Sequence, residues 1–270
     1  MRFFALLAFV GLLAGAGWHF FVHRSDDLRP ALVTPGMNVH NEFSDALGAR
    51  LYRVTHEGAI GAKRTGYPKL IALTFDDGPY PIFTPLLLAQ LHSLHVPGTF
   101  FLIGRDAQQW PELAKRIEAD GNEIADHTFS HPNLDQESAA QVREEVLHGR
   151  DVLWSLTHDP SVRTLMRPPH GRYTGATLRT VQSLGYQVVL WTDDAGDWRS
   201  LTPKQIETHL ATYATAPEIV LLHSGKLATI EAMPEVVARF RRAGYHFVTV
   251  GELLSQVGSM EINHPERRSL

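Results

Sequence analysis

No cysteine occurs anywhere in the chain. Disulfides and thiolate zinc sites are therefore excluded, and any bound metal must rest on histidine and carboxylate. Basic runs are missing as well, and the net charge is -4. Phosphate binding needs clustered lysine and arginine, so nucleic acid is set aside as a partner. No segment has the composition of a disordered tract, and no internal repeat or low-complexity stretch stands out. What is present is an ordinary apolar fraction, 44% of 270 residues. That suffices for one domain of roughly 200 residues plus a short extension.

Long hydrophobic runs are scarce, with one exception at the start. Arg2 precedes an apolar run from Phe3 to Val22, broken only by glycines, Trp18 and His19, and His23-Arg24 follow. About 20 apolar residues span a bilayer, whereas the core of a cleaved signal needs about 7–15. Ala14-Gly15-Ala16 has the look of a small-residue cleavage site, yet Trp18 to Val22 carry the run beyond it. Residues 1–24 thus fit either an uncleaved membrane anchor or a removed signal. Both imply export to the cell envelope, with secretion if the segment is cleaved. Residues 25–68 read as a connector, with Phe43, Leu47 and Leu51 at the spacing of a short amphipathic helix.

From Lys69 onward, short apolar strands alternate with amphipathic helices. Strands are expected at 70–74, 98–102, 123–126, 186–191, 219–222 and 246–250, with a short element ending near Met166. Helices are expected at 84–94, 111–120, 136–156, 175–184, 203–214 and 230–243. This alternation predicts an α/β fold of parallel βα units with both sheet faces covered. The domain is expected over 69–255, and 256–270 read as a polar C-terminal tail. No feature calls for an obligate protein partner.

The chemistry lies in motifs that fall at or just after strand ends, the face where an α/β barrel gathers its catalytic residues. Asp76-Asp77-Gly78-Pro79 ends the first strand in a turn. Adjacent side chains there point apart, so one carboxylate can hold a metal while its neighbour addresses a water. His127 and His131 are four residues apart, which lets both imidazoles face one way on a helical turn or a tight loop. In a chain with 15 histidines such a pair can also arise by chance. With Asp77 they make a set of two histidines and one carboxylate, which leaves room for water and substrate and accepts several divalent ions. Arg167, before Pro168-Pro169, would keep Asp76 ionised and oriented. Gly171 would let the backbone approach a ligand, and the His170 N–H would serve as an oxyanion donor. His223, at the mouth of a strand, would act as general acid with Asp194 as the carboxylate that raises its pKa. Trp198 would wall a small acyl methyl, and the duties of Asp193 and Asp197 cannot be separated. Together these parts suit metal-assisted hydrolysis of an amide or ester.

Taken in order, Thr74–Pro79, His127–Pro132, Arg167–Gly171, Asp194–Trp198 and Leu221–His223 resemble the motif set of the polysaccharide deacetylases, the NodB-homology or carbohydrate esterase family 4 type. The resemblance covers roughly 69–254. It implies a deformed (β/α) barrel, parallel strands with surrounding helices, that removes acetyl groups from N-acetylglucosamine units or from O-acetylated glycans. Peptidoglycan, chitin oligomers, poly-N-acetylglucosamine and acetylated xylan are all substrates of the implied kind. It further implies Asp76 as base and Asp77, His127 and His131 as ligands of one divalent ion, commonly zinc, with cobalt or another ion also accepted. Arg167 would orient the base, Asp194 would tune the acid, His223 would be the acid, and Leu221 with Trp198 would line the acetyl pocket. His170 departs from the family pattern, where Tyr or another aromatic is usual. Two other classes make different demands on the sequence. A non-catalytic glycan-binding protein would be expected to lack Asp76 or His223, and a glycosidase would need no metal.

Overall fold

The computed structural model describes residues 68–213 and 217–263. The expected N-terminal segment, the helix of the connector and the helix end at Ala214 lie outside them. The first strand, β1 (Leu70–Asp76), is buried along its whole length. Its side chains alternate between two environments, as the period of a strand dictates. Ile71, Leu73 and Phe75 pack outward beneath helices, while Leu70 and Ala72 join a second, inner cluster. Thr74 and Asp76 share the parity of the inner residues, which is why both turn up inside.

The remaining elements follow the βα rhythm. After β1 come α1 (Phe83–Leu94), β2 (Thr99–Leu102), α2 (Gly104–Gln109), α3 (Pro111–Ala119), β3 (Glu123–Asp126) and α4 (Ala139–Thr157). Then follow β4 (Leu165–Met166), α5 (Gly175–Ser183), β5 (Gln187–Val188), β6 (Asp193–Asp194), α6 (Pro203–Tyr213) and β7 (Glu218–His223). The chain continues through α7 (Leu227–Arg242), β8 (His246–Phe247) and α8 (Val250–Asn263). The strands lie in the order β5-β4-β3-β2-β1-β7-β6, with β8 added beside β1, and the pairings are parallel. β5 and β6 are the ends of this path. The segment between them bridges the opening, with Val189 N–H donating to the Met166 carbonyl and Thr192 N–H to that of Ile219, both at 2.8 Å. The sheet is a barrel left incomplete and closed by irregular chain.

Several expectations change. The strand expected at 186–191 shrinks to Gln187–Val188 because its later residues bridge that opening. The helix expected from Gln136 begins at Ala139, where Ser138 and Gln141 form a capping box, each side chain bonding the other's backbone N–H. α2 was not expected, since Gly104–Gln109 has no apolar periodicity. The last strand ends at Phe247 rather than Val250. Thr249 and Glu252 then form a second box, the Glu252 N–H on Thr249 Oγ1 at 3.2 Å and the Thr249 N–H on Glu252 Oε2 at 3.0 Å. α8 runs to Asn263, so the tail expected from residue 256 begins as helix. Val250, Leu253 and Leu254 of α8 pack with Leu70, Leu165 and Ile219, residues at or near the strand starts. The helix therefore stops the barrel at the end opposite the motifs.

Candidate active site

At the open end β1 turns sharply. Asp77 (φ 67°) and Gly78 (φ 70°) both adopt the left-handed region, which separates the two neighbouring carboxylates. A Cβ on Gly78 would lie 2.7 Å from Ser224 Oγ. Ser224 donates its N–H and its hydroxyl to the Asp76 carbonyl, at 3.1 and 3.0 Å, and so ties the end of β1 to the end of β7.

The His127–His131 segment is a tight loop, not a helical turn. Thr128 (φ 68°) and His131 (φ 65°) are left-handed, and the two imidazole centroids lie 4.9 Å apart. Left-handed non-glycine residues cost energy and collect where geometry is functionally constrained. Asp77 Oδ1 lies 3.3 Å from His131 Nε2 and 3.8 Å from His127 Nε2. The His127 Nδ1 is 2.7 Å from the Arg167 carbonyl, a pure acceptor, which assigns the proton to Nδ1 and leaves the Nε2 lone pair facing the pocket. One ligand atom from each of Asp77, His127 and His131 lies within 4.8 Å of the others. Nitrogen and carboxylate donors at this spacing fit one small divalent cation with a position to spare. Burial pushes His127 down to about 4 despite Asp76 and Asp77, so the imidazole stands neutral, the form a metal ligand requires. Burial raises Asp77, but the hydrogen bond to His131 and the charges of His127, His223 and His131 outweigh it and hold the carboxyl below its ordinary range.

Asp76 sits beside this set. Arg167, 0% exposed, donates through Nη1 to Asp76 Oδ1 at 2.6 Å and to Thr74 Oγ1 at 2.7 Å. Its Nε and Nη2 donate to the Val189 and Leu190 carbonyls, each at 3.2 Å, and its guanidinium lies 4.1 Å from the Phe101 ring centroid. The arginine is thus locked by the same chain that closes the barrel. The other Asp76 oxygen, 3.8 Å from His127 Nε2, faces the metal-ligand set.

His223 ends β7 as the register partner of Asp76, and partners on adjacent strands project to the same face. The carboxylate beside it is Asp197, not Asp194 as expected. Asp197 Oδ1 lies 2.8 Å from His223 Nδ1, while its Oδ2 accepts from the His223 N–H at 2.7 Å and from the Thr229 hydroxyl at 2.6 Å. Asp194 accepts instead from the Gly196 N–H at 2.8 Å and from the Trp198 indole at 3.2 Å. The reason is local: Asp194 closes an Asx turn onto left-handed Gly196, and the following short helical turn brings Asp197 round to β7. Asp193 faces away and pairs with His209 at 3.1 Å. Burial works against His223, yet Asp197, by hydrogen bond and charge, with Asp76 and Asp77 adding, raises the imidazole to about 9.

His170 is exposed and left-handed (φ 56°), its ring edge-on to His131 at 4.5 Å. The turn's hydrogen bonds come from the Gly171 and Arg172 N–H groups, so that of His170 is left for a ligand. Gly171 is needed for a different contact than expected: a Cβ there would lie 2.6 Å from the Trp191 indole, so the close approach is internal. Leu221 is register partner to Asp194, which in turn holds the half-exposed Trp198 indole. Sequence reasoning also missed Asp126. It is fully buried at the end of β3 and accepts from the Thr128 N–H at 2.8 Å and the Tyr186 hydroxyl at 3.2 Å. Burial pushes its pKa well up despite those bonds. An acid directly after the apolar pair Ile124-Ala125 of a buried strand was the available signal.

Residues 63–189 match the family described as polysaccharide deacetylase. A peptidoglycan-N-acetylglucosamine deacetylase of Bacillus cereus is 36% identical over 191 residues, covering 69% of this chain and 88% of the relative. A chitooligosaccharide deacetylase of Sinorhizobium fredii is 37% identical over 161 residues, covering 60% and 74%. The chain spans a smaller share, 42%, of the Listeria monocytogenes peptidoglycan-N-acetylglucosamine deacetylase. The solved structure of a peptidoglycan deacetylase from Bacillus subtilis superimposes with a TM-score of 0.66 at 29% identity, covering 75% of this chain and 98% of that one. The chain belongs to the polysaccharide deacetylase family.

Proposed function

We propose that this chain is a metal-dependent hydrolase that removes N-acetyl groups from an exported glycan built on N-acetylglucosamine, peptidoglycan first among them. The observation that carries the reading is one juxtaposition. Asp77, His127 and His131 converge beside an arginine-held Asp76, and His223 stands in register with that carboxylate. Asp77, His127 and His131 would hold a divalent cation, whose Lewis acidity would polarise the acyl carbonyl and favour water as nucleophile. Asp76 takes the proton of the attacking water, kept anionic and aimed by Arg167. As the water oxygen bonds to the acyl carbon, the His170 N–H receives charge developing on the carbonyl oxygen. His223, protonated below about pH 9 and aimed by Asp197, gives its proton to the nitrogen as the carbon–nitrogen bond breaks. Acetate and a free amine are the products. Leu221 and Trp198 form the apolar side on which the acetyl methyl would rest. Zinc is the proposed ion, and the apolar segment at 3–22 is proposed to carry the domain across the membrane.

The test measures released acetate against released reducing ends on peptidoglycan and chitin oligomers, with and without chelator. Acetate alone, lost on chelation and restored by zinc or cobalt, is the expected result. Reducing ends, or acetate indifferent to chelator, would refute the reading.

A further inference from the structure

The loop that carries both imidazoles has almost no free backbone. Its N–H groups are accounted for in order: His127 donates to the Leu102 carbonyl at 3.1 Å, Thr128 to Asp126 Oδ1 at 2.8 Å, and Phe129 to the Glu145 carbonyl at 3.0 Å. Ser130 donates to Glu145 Oε2 at 2.8 Å, and His131 to Thr128 Oγ1 at 3.1 Å. The carbonyls of Thr128 and Phe129 accept from Gly104 and Arg105, the first residues of α2, both at 2.9 Å. Most of these bonds are internal to the loop and its strand or come from backbone. Glu145 differs. It reaches in from the middle of α4 and grips Ser130 twice, through the N–H on Oε2 and the hydroxyl on Oε1, each at 2.8 Å.

We propose that Glu145 is a positioning residue for the metal site. By holding Ser130 it fixes the left-handed His131 backbone, and thereby the direction of the His131 imidazole, without touching the ion. The inference rests on the metal reading above. The physical case is that a two-point bond from a partly buried carboxylate to an N–H and a hydroxyl allows one orientation only. Without it, the backbone of Ser130 and His131 keeps one bond to a side chain, the His131 N–H on Thr128 Oγ1. Holding a ligand in place through such outer contacts typically accounts for about 10–100-fold in metal affinity.

The experiment compares the full chain with Glu145→Ala, Glu145→Gln, Ser130→Ala and the neighbouring exposed control Glu144→Ala. Zinc affinity is read by competition with a chromogenic chelator, the cobalt absorption spectrum reports ligand geometry, and thermal melting of the metal-free chains reports the fold. Glu145→Ala is expected to weaken zinc binding about 10–100-fold and to alter the cobalt spectrum. Glu145→Gln, which still accepts from the Ser130 N–H and can donate to its hydroxyl, is expected to recover most of the loss. Ser130→Ala should fall between, and Glu144→Ala should match the parent. If Glu145→Ala does not fold, the decision passes to Ser130→Ala, for which an unchanged zinc affinity overturns the proposal. A folded Glu145→Ala with parental affinity and spectrum overturns it directly. A parent that binds no zinc overturns the metal reading and this inference together, whereas a zinc-binding parent matched by its variants overturns this inference alone.

Discussion

The carboxylate of Asp76 lies 2.6 Å from a guanidinium that never meets solvent, while its neighbour Asp77 faces two imidazoles. The proposed mechanism uses the first charge for proton transfer and the second for ligation. Replacing Asp76 with Asn keeps the shape and removes the base, so kcat should fall about 10²–10⁴-fold with zinc affinity close to parental. Loss of the ion in the same variant would show that Asp76 is itself a ligand. Asp197 gives a second prediction. His223 is raised to about 9, above its ordinary 6.5, so its acid form persists through neutral pH and is lost as pH rises through about 9. Acetate release should decline along that limb, and any stability His223 contributes is full below about 6.5 and disappears over the same rise. In Asp197→Asn the alkaline limb should move toward lower pH, as a pH profile of kcat/KM or an NMR titration of the imidazole would record. An unmoved limb would reassign the acid. At this scale the gathering of Asp76, Asp77, His127, His131, Arg167 and His223 was legible from motifs at or just after strand ends, and the roles proposed for them came with the family resemblance. Asp197 was not. Asp193, Asp194 and Asp197 are alike in sequence, and only the turn at Gly196 decides which carboxylate reaches His223.

At the scale of elements, α4 carries the site from beneath. Gly149 on that helix lies so close to the metal loop that a Cβ there would be 2.8 Å from both Asp126 Oδ1 and the Thr128 carbonyl carbon. In an exposed helix a glycine-to-alanine change stabilises by about 1 kcal/mol, but here overpacking against backbone should dominate at about 1–3 kcal/mol. Gly149→Ala should therefore melt lower than the parent and bind zinc more weakly. A higher melting temperature would mean that the loop yields freely. The α8 helix acts at the other end of the barrel, where Leu253→Ala should cost about 2–5 kcal/mol by denaturant titration. The long helices and apolar strands were readable from periodicity. α2 was not, because Gly104–Gln109 gains its place by donating its first N–H groups to the metal loop, a long-range contact. The start of α8 did carry a local sign, the Thr249–Glu252 box, hidden behind a run of β-branched residues that reads as strand.

For the whole molecule, the incomplete barrel is what brings the parts together. Its closing segment at 189–192 is irregular, and Arg167 reaches across the barrel to bond two of its carbonyls while holding Asp76. No pattern in the sequence marks where a sheet fails to close, which is why a six-residue strand was expected where two residues pair. The proposed chemistry depends on a cation that Asp77, His127 and His131 would hold. Its most direct test is metal analysis of the chelated and zinc-reloaded chain alongside acetate release from N-acetylglucosamine oligomers. One zinc per chain is expected, with acetate release rising in proportion to zinc bound and both lost in His127→Ala. Undiminished acetate release from metal-free protein, or full zinc content in that variant, would contradict it.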